Sequence, residues 1–261
     1  MNKPDISIVI PVGNDPQILW CLDSLSRSRG KVLFEVIIIT NFCSNKLVQS
    51  IRAYKNDVPL TIIDAPSRRI GELRNIGIHA SKGKIIYFID SDCRVLPDTL
   101  TWVLKSGKSN KVTRGKIHFI GENYFSSIDA KIRSKRYESD PSFAYCPSLV
   151  VQRNVFTQIG LFDETFHYGS DGEFAYRIRT NQIPVKFEPR MEAQHRVSAP
   201  LGAILQRWVQ YGEGRYKRMK HAALVQRLHA LFTPNLFSAR DGLIYNLMYM
   251  VCMFCRWIGW T

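Results

Sequence analysis

The sequence predicts an α/β fold, a mostly parallel sheet flanked by helices, on three observations. Short β-branched runs recur through residues 6–90, helical apolar spacings fall between them, and Asn and Asp residues gather where the runs end. Strands alternating with helices at this spacing form right-handed βαβ units and a parallel sheet, whose ligands sit at the carboxyl ends of the strands.

The first run, Ile6-Ser7-Ile8-Val9-Ile10-Pro11, is closed by proline, as a buried parallel strand is when it meets a loop. Leu19, Leu22 and Leu25 then recur at helical spacing until Arg27-Ser28-Arg29-Gly30, where Gly30 suits a helix end. Phe34 to Thr40 is a second strand, a helix follows from Lys46 to Tyr54, and Leu60 to Ile63 is a short third strand. Gly71 to Ala80 reads as a helix and Lys84 to Asp90 as a fourth strand. Asn14, Asp15, Asn41, Asp90 and Asp92 all fall at carboxyl ends in this scheme. After residue 110 the alternation weakens. Lys111 to Arg136 mixes basic residues with short apolar runs, strands are expected near Lys116 to Ile120 and Leu149 to Gln152, and helices near Asn154 to Ile159 and Gly172 to Thr180. From Pro200 the text is helical and basic, and from Leu243 almost purely apolar.

The chain has 261 residues, 45% hydrophobic and 22% charged, which excludes a disordered chain and suits one large domain or one domain with an appendage. Its 36 Lys and Arg against 22 Asp and Glu leave +14, which favours polyanionic partners: nucleic acid, phosphorylated substrates or an anionic membrane face. Six scattered cysteines and an N-terminus without an apolar signal core imply a reduced, cytosolic protein. Cys252 and Cys255 form a C-x-x-C, but no second ligand pair lies at zinc spacing.

Asp90-Ser91-Asp92 closes the fourth strand. Two hard oxygen ligands there suit Mg²⁺ or Mn²⁺, with substrate phosphates completing the shell; the competing reading is a solvated strand end. The surrounding text decides more. "ISIVIPVGND", "GELRNIGIHASKGKIIYFIDSDCRVLPDTL", "IGLFDETFHYGSDGEFAYRIR" and "AQHRVS" occur in that order between residue 6 and about residue 200, and together they resemble family 2 glycosyltransferases of the GT-A type.

That resemblance implies a set of roles. The donor nucleotide sugar would be held by Pro11, Asn14, Asp15, Asn41, Arg74, Asp90, Ser91 and Asp92. Asp92 would be the principal ligand of Mn²⁺ or Mg²⁺, Asp90 would lie near the ribose or a metal-bound water, and His195 would add a ligand from the other side of the site, where the alternative is a surface histidine. Asp171 would be the general base of an inverting displacement, with Glu173 in reserve, although both also suit a helix N-terminus. Arg74 and Asn75 would face the same pocket, Arg74 on a diphosphate or an aspartate. Gly71 and Gly77 would let helix pack on sheet. The resemblance also implies residues 1–200 as the transferase domain, with a nucleotide-sugar half to residue 110 and an acceptor half beyond it, and residues 201–261 as an extension.

Two departures bear on the donor. Thr40-Asn41-Phe42-Cys43-Ser44 stands where the family carries an Asp-Asp-Gly-Ser-like turn, so an amide replaces the carboxylate that reads the base, and Gly13 stands where an aromatic is common. The Gln-x-x-Arg-Trp motif of processive synthases is missing, Gln206-Arg207-Trp208 having the wrong spacing, which favours single-sugar addition. Between Leu201 and Arg240 seven Lys and Arg face Glu213 alone, a segment suited to the diphosphate or to anionic lipid. Leu243 to Trp260 is expected to lie on a membrane surface, to pack in the core or a dimer, or to span; peripheral attachment on the cytoplasmic face suits a lipid-linked saccharide acceptor. No nucleic-acid motif accompanies the charge. A sugar nucleotidyltransferase and a non-catalytic polyanion binder are the rival readings; the first lacks its lysine-bearing Gly-rich loop after Pro11.

Overall fold

The computed structural model describes residues 3–28, 32–67, 69–219 and 250–251. Strands β1 (Ile6–Val12), β2 (Phe34–Thr40), β3 (Leu60–Asp64) and β4 (Ile85–Phe88) are joined through helices α1 (Ile18–Ser26), α2 (Asn45–Arg52) and α3 (Ile70–Ala80). All four strands run parallel, in the order β3-β2-β1-β4. Because the chain leaves β1 toward β2 and later returns to β1's other edge as β4, the connections diverge between β1 and β4, and a crevice opens at their carboxyl ends.

Period-two alternation explains the layers. Ile6, Ile8, Ile10, Val36, Ile38, Ile85 and Tyr87 pack on one face with Ile18 and Leu22 of α1 and Leu47 and Ile51 of α2. Val9, Ile37, Ile39, Ile86 and Phe88 pack on the other with Leu73 and Ile78 of α3. Both faces are apolar, so these strands read as continuous hydrophobic runs. Gly77 is what lets α3 lie so close: a Cβ there would overlap Val9 Cγ1 and stand 2.9 Å from Ile39 Cδ1.

The second half extends the sheet with mixed polarity. It adds β5 (Cys93–Val95), α4 (Thr99–Ser109), β6 (Val112–Gly121), α5 (Tyr124–Ser139), β7 (Leu149–Gln152), α6 (Arg153–Ile159), α7 (Ser170–Thr180), β8 (Val185–Val197) and α8 (Leu201–Met219), giving the order β3-β2-β1-β4-β7-β6-β8-β5. β7 is antiparallel to β4 and β6, and β5 to β8, while β6 and β8 run parallel. The mixed region Lys111 to Arg136 forms β6, which contains the strand expected near Lys116 to Ile120, and most of α5, which was not expected. Helix α5 escapes hydrophobic periodicity because its buried face includes Ser126 and Asp129 beside Ala130, Ile132 and Tyr137. Strand β8 bulges opposite Gly115 and Lys116, where any side chain at Gly115 would overlap the Met191 carbonyl.

Helix α8 is fastened twice. Asp129 of α5, fully buried, accepts from Trp208 Nε1 at 2.8 Å and Arg133 Nε at 2.9 Å, and Arg207 lies 3.9 Å away. Farther along, Lys217 Nζ donates to the Thr165 carbonyl and hydroxyl at 2.5 and 2.7 Å. The expectations for Gly30, the C-x-x-C and Leu243 to Trp260 lie outside the described residues, apart from helical Met250 and Val251. Among the described residues no helix is long and apolar enough to cross a membrane.

Candidate active site

Strand β4 ends at Phe88, so Asp90-Ser91-Asp92 forms a turn into β5 rather than the strand end expected, closed by the Cys93 N–H donating to the Asp90 carbonyl at 3.1 Å. The two carboxylates therefore take different partners. Asp90 Oδ1 faces Arg74 Nη2 at 3.4 Å, and Asp92 Oδ2 faces His195 Nε2 at 3.0 Å. His195 does not approach from the far side of the site: β5 and β8 pair antiparallel with Cys93 opposite His195, which sets the ring against Asp92. The ring is buried, lies over Phe119 at 5.1 Å, and its Nδ1 has no hydrogen-bond partner among the described residues.

The electrostatics separate the pair. Burial pushes the Asp90 carboxyl above its ordinary value, aided by Asp92 and opposed by Arg74. Burial also pushes Asp92 upward, but the His195 charge and hydrogen bond, with Arg133 and Arg207 behind, outweigh it and hold Asp92 below its ordinary value. Asp92 thus keeps its charge to lower pH than Asp90 does. Burial, then the charges of Asp92 and Asp90, drives the Cys93 thiol well upward, so it is a neutral packing group.

Ligand atoms of Asp92, Cys93 and His195 lie within 4.8 Å of one another. The 3.0 Å between Asp92 Oδ2 and His195 Nε2 matches adjacent ligands at right angles on an ion bound at about 2.1 Å. A carboxylate and an imidazole suit Mn²⁺ or Mg²⁺ with phosphate oxygens in the remaining positions. The donor set fits.

A cavity of about 520 Å³ lies beside them, and its wall includes Asn41, Arg74, Asp90, Asp171 and His195 but neither Asp92 nor Cys93. Asp171 stands in the first turn of α7, after Gly169 at φ 76°, and its Oδ1 accepts from the Gly172 N–H at 2.8 Å. Arg74 is buried over Phe162 and reaches Ser170 Oγ at 3.4 Å, linking the Asp90 turn to α7.

A profile of glycosyl transferase family 2 matches residues 7–157. The chain belongs to glycosyl transferase family 2. Among relatives of this glycosyltransferase, AglE of Haloferax volcanii is 23% identical over 223 residues, 81% of this chain and 73% of AglE. TarS 1-349 of Staphylococcus aureus in complex with UDP-GlcNAc superposes with a TM-score of 0.62 at 16% identity, over 98% of this chain and 82% of that one. The mannosyltransferase PcManGT of Pyrobaculum calidifontis, in complex with GDP-Man and Mn²⁺, gives 0.63 at 12% identity, over 99% and 74%. At such identities the structures establish the shared GT-A fold.

Within this family 2 chain, Asn41 is the one of the other expected donor contacts that lines the cavity; Pro11, Asn14, Asp15 and Ser91 are not among its lining residues. Asn41 Oδ1 accepts from Ser67 N at 2.9 Å, Asn14 Oδ1 from Ser44 N at 3.0 Å, and Asp15 Oδ1 from Gln17 N at 2.9 Å. Pro11 is buried in β1 opposite Ile39, and Ser91 is half-buried in the turn. Asn75 turns away from the pocket: its Nδ2 donates to the Phe162 carbonyl at 2.9 Å and Glu164 at 2.8 Å, and its Oδ1 accepts from Phe162 N at 3.0 Å. Glu173 is bound on both oxygens by Arg177 at 2.6 and 2.7 Å, which occupies the reserve carboxylate. Sequence reasoning missed the wall that α5 supplies, including Arg133 and Arg136, and marked the α8 segment that adds Trp208 and Tyr211 only as one suited to the diphosphate or to anionic lipid. The cationic spacing of "GEGRYKR" hinted at Arg215 and Arg218, but only folding reveals that α5 answers it.

Proposed function

We propose that this glycosyltransferase is inverting and metal-dependent, moving a single sugar from a nucleotide-diphosphate donor to an acceptor hydroxyl. The observation that carries the reading is the 3.0 Å Asp92–His195 pair beside a cavity that Asp171 also lines. Complexes of similarly folded proteins with UDP-GlcNAc, and with GDP-Man and Mn²⁺, support such a donor and metal. Bound by Asp92 and His195, Mn²⁺ or Mg²⁺ would neutralise the charge that develops on the departing diphosphate.

The chain's own residues do the rest. Arg74 holds Asp90 in place. Asp171 takes the proton of the acceptor hydroxyl as its oxygen attacks the anomeric carbon opposite the leaving group, which inverts that centre. Asn41 stands at the donor end, where an amide both donates and accepts toward a base. The acceptor is a saccharide or lipid-linked saccharide in glycan, polysaccharide or glycolipid synthesis, and the basic and apolar residues after Pro200 support peripheral contact with the cytoplasmic membrane face. The test is turnover of a panel of nucleotide-diphosphate sugars with Mn²⁺, with and without chelator, and NMR of the product anomer. Loss of turnover on chelation, recovery with Mn²⁺ and an inverted product are expected; turnover indifferent to chelation removes the metal from the reading.

A further inference from the structure

The cavity wall carries six arginines but only two aspartates among the described residues. Four of the six are accounted for: Arg74 faces Asp90, Arg133 and Arg207 share buried Asp129, and Arg215 has a partner of its own. Arg136 and Arg218 are different. The contacts their guanidinium groups make are with rings, Arg136 over Trp208 at 4.9 Å and Arg218 over Phe143 at 6.0 Å, and neither has a carboxylate partner within salt-bridge distance among the described residues.

Arg218 is also in a costly place. Any side chain at Gly172 would overlap its Nη1, so it lies against the first turn of α7, where the helix presents its positive end. Burial, opposed by Asp171, Tyr145 and Glu173 but abetted by Arg136, lowers its affinity for its own proton. The fastening of α8 to Asp129 and Thr165 nevertheless holds this arrangement in place. A donor diphosphate does not call for it, since a divalent ion on Asp92 and His195 would already offset about two negative charges. A phosphate ester, with about −1.5 to −2 charges and three acceptor oxygens, matches two unpaired guanidinium groups and a helix N-terminus.

We propose that the acceptor carries a phosphate group and that Arg136 and Arg218 bind it beside the hydroxyl served by Asp171. This rests on the assignment of Asp171 to the acceptor side. The group can belong to a water-soluble sugar phosphate, a monoester, or to a lipid-phosphate-linked saccharide, whose bridging phosphate carries less charge; in both, the guanidinium groups would bind the non-bridging oxygens.

Two measurements test it. In the first, inorganic phosphate is titrated into chelator-treated protein and the melting temperature is followed. Phosphate should stabilise the wild type, the apparent affinity should fall about tenfold in R136Q and in R218Q, and R218K should keep most of it. No response in the wild type, or a wild-type response retained in both Gln variants, overturns the proposal. In the second, transfer is compared across neutral, carboxylated and phosphorylated forms of one saccharide, with the phosphorylated form supplied free and as a polyprenyl phosphate in micelles. Preference for either phosphorylated form, with a KM about tenfold higher in R218Q, is expected. Equal use of the neutral form overturns it, as does an equal weakening of nucleotide-diphosphate binding with Mn²⁺ in R218Q, which puts the arginines on the donor. A chain inert toward every donor fails the transferase reading instead, while the phosphate titration still reports on the arginines.

Discussion

Asp171 accepts one hydrogen bond, from the Gly172 N–H, and lines the cavity, whereas Glu173 has both oxygens engaged by a guanidinium that also reaches the carbonyls of Ile159 and Leu161. The two carboxylates should therefore fail differently. Asp171→Asn is expected to lower kcat by about 10²- to 10⁴-fold with little change in melting temperature. Glu173→Gln should cost about 1–3 kcal/mol of stability and leave kcat within a small factor of wild type. Urea unfolding and steady-state kinetics on both variants check this, and the opposite pattern would exchange their roles.

Asp92 offers a pH test at the same scale. Its folded value lies below its unfolded one, so it contributes stability that is complete above the unfolded carboxylate value of about 4 and is lost as pH falls through the lower folded value. In metal-free protein, the stability gap between wild type and Asp92→Asn should close as pH falls below about 4. A gap that widens on acidification would mean that the Asp92–His195 contact does not favour the carboxylate.

At the scale of elements, α3 is held by what it omits and by what it reaches. Gly77→Ala should overpack Val9 and Ile39 and cost about 1–3 kcal/mol, read from the urea midpoint at unchanged slope. Asn75 ties the Phe162 to Glu164 turn to α3, and that turn leads into α7. The tie between α5 and α8 is more exacting, because Asp129 is completely buried among Trp208, Arg133 and Arg207. Asp129→Ala leaves those cations uncompensated and should destabilise by about 3–5 kcal/mol. Hydrogen exchange should then show protection lost first in α5 and α8 while β1, β2 and β4 keep theirs; uniform loss would mean that the helices do not open separately.

For the whole molecule, an ion held only by the folded chain raises its stability, so Mn²⁺ at about one hundred times its dissociation constant should add about 2.7 kcal/mol, and His195→Ala should abolish the gain. The residues that would hold that ion come from β5's entry turn and β8, which are about a hundred positions apart in sequence and adjacent only through sheet pairing.

The sequence by itself determined the first half of the molecule. Strands buried on both faces must be continuously apolar, helices packed on them must repeat at helical spacing, and the polar punctuation at strand ends then points to the crevice; the strands from β1 to β4 are legible for that reason. The ordered motifs, two of them in the second half, also named the family. In the second half the sequence also marked β7, α6, α7 and part of β6, and tertiary structure decided the remainder. Helix α5 hides Ser126 and Asp129 on its inner face, so no hydrophobic pattern announces it, and β8 alternates cleanly only in its second half. The redirection of Asn75 and Glu173, the contact of Asp92 with His195 and the meeting of Arg136 with Arg218 all follow from long-range pairing. A side chain's type is local information; which partner neutralises it is a property of the closed fold.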